Sequence, residues 1–76
     1  MKLNEDKIDN AALALLSLGL HDHDRVWKSF DWDIMNRLHE KGFISNPVSK
    51  AKSVVLTEKG HEEAERLLVE LFGEEG

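Results

Sequence analysis

The chain reads as an α+β domain ordered as helix, short irregular segment, helix, two-stranded hairpin, helix. Three observations predict this. Apolar residues recur at helical spacing near both ends, a capped helical run lies in the middle, and two short β-prone runs flank a turn at Asn46-Pro47. With 76 residues, 41% of them hydrophobic and 33% charged, the sequence has the composition of a globular protein and room for one core. It is read as a single domain over 1–76, with 74–76 as a frayed tail.

Each element has a local cause. Asn4 is a good N-cap, and Glu5 and Asp6 follow it where the helix dipole favours negative charge. Ile8, Ala12, Leu15, Leu16 and Gly19 then repeat at helical spacing, which predicts a helix from about Leu3 to Gly19. Leu13 and Leu20 fall on a second flank. A helix apolar on two flanks must bury both, which predicts a homodimer with Leu13, Leu16 and Leu20 as its contact.

His21–Phe30 has no clear period, and its residues suit a short strand, a turn or a single helical turn. Asp31 caps a second helix from Trp32 to about Lys41, with Ile34, Met35 and Leu38 inward and Gly42 at its end. Phe43-Ile44-Ser45 and Ser53-Val54-Val55-Leu56 are the arms of the hairpin. Thr57 caps the last helix, where His61, Ala64, Leu67, Leu68, Leu71 and Phe72 share an apolar stripe and Gly73 closes it.

Composition excludes several classes of function. Cysteine is absent, which removes disulfides, thiolate metal sites and cysteine catalysis together. The longest apolar stretch, Ala11 to Leu20, is about half of the roughly 20 residues that a membrane span requires. The acidic lead before it does not suit a secretory signal. A cytoplasmic protein without membrane contact is expected.

Net charge is −5, unevenly spread. Residues 1–24 carry −3, residues 25–60 carry +3, and residues 61–76 carry −5. Any anion-binding surface is therefore expected in the middle third, with acidic ends that repel polyanions elsewhere.

The order of elements resembles a winged helix, in which a recognition helix is followed by a two-stranded wing. Arg37-Leu38-His39-Glu40-Lys41-Gly42-Phe43-Ile44, a basic hairpin tip, and Leu56-Thr57-Glu58-Lys59-Gly60 are similar to a run found in many bacterial winged-helix regulators. The chain departs from that pattern in one respect, since only His21–Phe30 stands where a complete winged helix has another helix. Trp27-Lys28, Phe30-Asp31-Trp32-Asp33, Arg37 to Gly42 with Ile44-Ser45, Pro47, and Lys50 to Thr57 more narrowly resemble an uncharacterised bacterial family of about this length. That family is known as a domain of unknown function, and the resemblance implies no activity.

The basic middle supplies the leading candidate site. Arg37 and Lys41 stand four apart on the outer face of the second helix, with Asn36 beside them. Lys50 and Lys52 alternate along the hairpin tip, and Ser49 adds a hydroxyl donor. Together they predict weak DNA binding by a bacterial regulator. The competing reading pairs Arg37 with Asp33 four residues before it, has Glu40 add another negative charge, and leaves the lysines of the hairpin tip to solubility.

His21-Asp22-His23-Asp24 is dense in potential ligands, but a structural zinc site needs four well-spaced ones. A polar loop is expected there, with no metal and no cofactor. His61 is read as a partly buried core histidine. Trp27 and Trp32 are assigned to core or dimer packing, with base stacking or a grip on a partner as the alternative. No nucleophile–base pair or phosphate loop is visible, so no enzyme is expected. The rival to DNA binding is a protein-interaction module of the same shape without nucleic acid.

Overall fold

The computed structural model describes residues 2–74, so of the expected frayed tail only Glu74 lies within the described residues. It is an α+β domain of three helices and a small antiparallel sheet. Helix α1 spans Glu5–Ser17, strand β1 Arg25–Trp27, helix α2 Trp32–Glu40, strand β2 Ser53–Val55 and helix α3 Glu58–Phe72.

All three predicted N-caps are formed. Asn4 Oδ1 accepts the Lys7 N–H at 3.1 Å, Asp31 Oδ1 accepts the Ile34 N–H at 3.0 Å, and Thr57 Oγ1 accepts the Gly60 N–H at 2.9 Å. Each satisfies an amide that the helix itself leaves unpaired. Gly42 follows α2 with a φ of +84°, the left-handed conformation that glycine adopts without steric cost.

The irregular segment holds a strand. β1 pairs antiparallel with β2 in the register Arg25 to Val55, Val26 to Val54 and Trp27 to Ser53. The predicted hairpin arm at 43–45 lies on the other side of β2. Ile44 bridges Leu56, the Ser45 N–H donates to the Val55 carbonyl at 2.8 Å, and the Thr57 N–H donates to the Phe43 carbonyl at 3.0 Å. β2 is thus held on both sides. β1 left no periodic signal because only Val26 of its three residues faces inward.

The core joins Ala12, Leu13 and Leu16 of α1 to Val26 and Val54 of the strands, to Leu56 just after β2, and to Met35, Leu38, Ala64 and Leu67 of the other helices. The most extensive helix packing is between α1 and α3. This arrangement corrects the predicted dimer contact. Leu13 and Leu16 are 0% and 3% exposed, inside the core of their own chain, whereas Leu20 remains exposed. α1 is turned so that Leu15, which shares a periodic row with the buried Ala12 and Leu16, faces solvent. For the tryptophans, assigned to core or dimer packing, the core half is corrected, since Trp27 and Trp32 are each 54% exposed and neither belongs to the core.

Gly60 sets the approach of α3 to the strands. A Cβ there would lie 2.0 Å from the Phe43 carbonyl oxygen, inside backbone that cannot yield. Helix propensity alone makes Gly→Ala a gain of about 1 kcal/mol in a helix interior. Gly60→Ala is expected instead to lose about 2–3 kcal/mol, the cost of overpacking. Urea denaturation decides between the two signs.

Candidate functional site

α1 and α2 meet through a cluster of charges. Glu5 and Asp9 stand one turn apart on α1, as Arg37 and Lys41 do on α2, so the two rows face each other in register. Asp9 is only 1% exposed. Arg37 Nε donates to both its oxygens, at 3.1 and 2.9 Å, and Nη2 donates to Oδ1 at 2.8 Å. Lys41 Nζ donates to Asp9 Oδ2 at 3.0 Å and to Asp6 Oδ1 at 3.1 Å, while Arg37 Nη1 reaches Glu5 at 2.9 Å.

Burial alone would push the Asp9 carboxyl up, but the hydrogen bonds and charges of Arg37 and Lys41 outweigh it and hold Asp9 below the ordinary carboxylate range. Arg37 is raised in turn, chiefly by its hydrogen bond to Asp9. Burial works against the Lys41 ammonium, and bonds to Asp9 and Asp6 more than offset this to raise it.

The predicted DNA-contact residues therefore separate into two groups. Arg37 and Lys41 form their ion pairs with carboxylates of α1, and Asp33 adds only its charge to the surroundings of Arg37. Asn36 donates to Glu40 at 3.3 Å. Ser49, Lys50 and Lys52 are exposed on the segment before β2. That segment is anchored by Lys28, whose Nζ donates to the carbonyls of Pro47 at 2.8 Å and Ser49 at 3.0 Å. An Asx turn, from the Val48 N–H to Asn46 Oδ1 at 2.9 Å, shapes its start.

The polar stretch after α1 forms a tight turn. The amides and carbonyls of His21 and Arg25 exchange hydrogen bonds at 2.8 and 3.0 Å, and Asp22 and His23 take positive φ. The His21 ring stacks on Trp27, with centroids 4.2 Å apart and planes at 27°. His61, half-buried on α3, lies with Nε2 2.8 Å from Asp24 Oδ1. Among the described residues no three histidine or acidic side chains converge as a metal site.

Concave surface is shallow. A groove of about 550 Å³, open to solvent, lies between the N-terminal ends of α1 and α2 over Leu3, Ile8 and Ile34, with Arg37 on its wall. The convex surface is more distinctive. Ala11, Leu15 and Leu18 follow one another at spacings of four and three along the outer side of α1, and Leu15 and Leu18 are 44% and 69% exposed. Val69, Leu71 and Phe72 are exposed at the end of α3, where the apolar stripe outruns the core.

The capped helices, their acid–base clamp and the strand that follows the first helix occupy the span shared with one known family. The chain belongs to the DUF6429 family, a domain of unknown function, which it matches over residues 4–74. It is similar to the uncharacterized protein y4hR of the bacterium Sinorhizobium fredii (strain NBRC 101917 / NGR234), with 53% identity over 72 residues. That match covers 95% of this chain and 97% of the relative. No solved structure matches. Among the described residues no helix is long and apolar enough to cross a membrane.

The clamp makes stability depend on acid. Asp9 has a lower value folded than unfolded, so its contribution is present above the ordinary carboxylate range and is lost as pH falls through the folded value. Asp9→Asn leaves two cations facing a neutral amide, and is expected to lose about 3–5 kcal/mol at neutral pH. The loss should shrink as pH falls below the carboxylate range. Denaturation midpoints of both proteins across that range would show the convergence, and parallel curves would place the effect elsewhere.

Proposed function

We propose that this domain is a non-catalytic interaction module that associates with a second copy of itself through the outer side of α1. The observation that carries this reading is the exposure of Leu15 and Leu18 in line with Ala11, on a helix whose opposite side already fills the core. A surface helix normally turns polar groups to water, and an apolar outer row is the mark of a contact surface.

A second copy is the favoured occupant for two reasons. An uncharged row can meet itself across a two-fold axis without opposing like charges. The acidic groups at the start of α1 are matched within the same chain by Arg37 and Lys41, which lessens repulsion between copies. DNA binding through α2 has less support, because Arg37 and Lys41, its two cations predicted for phosphates, are engaged by α1.

Sedimentation equilibrium tests the proposal. The wild-type chain is expected to show a concentration-dependent mass approaching twice its monomer mass. Leu15→Glu with Leu18→Glu should sediment as a monomer with an unchanged far-UV spectrum, since neither side chain belongs to the core. A monomeric wild type at high concentration would refute self-association, and an associating double variant would refute this contact.

A further inference from the structure

The side of α3 that faces away from the core carries an ordered row. Gly60, Ala64 and Leu67 turn inward, whereas Glu58, Glu62, Glu65, Val69 and Phe72 are all exposed. These five stand at spacings of four, three, four and three, so they form one stripe along the length of the helix. The stripe has two halves. Three carboxylates occupy the earlier turns, and two apolar side chains, 75% and 50% exposed, occupy the end.

The two cations of α3 are committed elsewhere. Lys59 Nζ donates to the Lys41 carbonyl at 3.1 Å and lies 5.3 Å from the centre of the Phe43 ring. Arg66 pairs with Glu63 and Glu70, beside the row and not on it. Among the described residues Glu58, Glu62 and Glu65 form no ion pair. The last turn contains no basic residue, so the negative end of the helix dipole, beside Val69 and Phe72, adds charge of the same sign.

We propose that this row docks an amphipathic helix of another protein, with lysines or arginines opposite the carboxylates and apolar side chains opposite Val69 and Phe72. Spacings of four and three are those of the seam along which two helices pack, which selects a helix over an extended chain. Charge complementarity selects its composition. Nucleic acid and anionic lipid would meet three carboxylates. A second copy fits no better. Parallel copies set glutamate on glutamate, and antiparallel copies set Glu65 on Glu65 and Glu58 on Phe72. An antiparallel basic partner has its cations near its own C-terminus, where its dipole favours them. The contact uses none of the residues of the α1 row and stands apart from self-association.

The test follows the ¹⁵N amide shifts of the full chain during titration with a synthetic alanine-rich helix of about fifteen residues. From its N-terminus it carries two leucines and then three lysines, at the spacings of the α3 row. A second peptide has glutamate for lysine, and a third has serine for leucine. The first is expected to move amides between Glu58 and Phe72, and the other two to bind about tenfold or more weakly. Glu62→Lys with Glu65→Lys should reverse the order of the first two peptides. Val69→Ser with Phe72→Ser should lose the response. Both variants should keep the rest of the amide spectrum, since none of the four residues belongs to the core. No shift at about 1 mM of the first peptide overturns the proposal. Equal binding of the serine peptide also overturns it, as do shifts centred on Leu15 and Leu18. Movement of the Val69 and Phe72 amides when the Leu15→Glu, Leu18→Glu variant is diluted alone overturns it in favour of a second copy.

Discussion

Asp9 carries the relation between the first two helices, and much of the surface chemistry follows from it. A carboxylate this deeply buried is costly unless opposite charges and hydrogen-bond donors surround it, and here Arg37 and Lys41 supply both. The pairing fixes α2 against α1 with its two most prominent cations directed inward. It also decides what α2 cannot offer, because a guanidinium held by three bonds to a buried carboxylate is not free to meet a phosphate. Positive charge on offer to a ligand lies instead on the sheet and on the segment before β2.

Much of the fold was legible because its signals are local. Asn4, Asp31 and Thr57 each precede an amphipathic run and each caps it, so the helices begin where the side chains say they do. Gly42 stops α2 for a reason readable from one residue. The sheet was legible in part. Ser53–Val55 reads as a strand, whereas Arg25–Trp27 is too short to show alternation, and its pairing with a strand on the far side of α2 has no local mark. The orientation of α1 was misread for a related reason. Leucines at 13, 15 and 16 satisfy two helical faces equally, and periodicity cannot say which one the core takes.

The candidate site was less legible because its partners are remote in sequence. Arg37 and Lys41 look like a free basic pair when only nearby acids are considered, while the acids that hold them lie on another helix. One signal could have been read. Asp9 stands three, four and seven residues before Ala12, Leu13 and Leu16, on the face that becomes the core. An acid on such a face requires a cation from another element. Trp27 and Trp32 were expected in the core or in a dimer contact, and the first of these fails because aliphatic side chains and Phe43 fill the core.

The packing of α1 on α3 has a consequence for the chain as it is synthesised. α1 leaves the ribosome before α3, the helix that covers most of its inner side, with β1, α2 and β2 made in between. Until Ala64 and Leu67 arrive, the inner side of α1 has only its packing on β1 and α2 to cover it. The second half of α1, from Ala11 to Leu16, therefore stays without its main packing partner until α3 is made, and the fold is completed only with that helix.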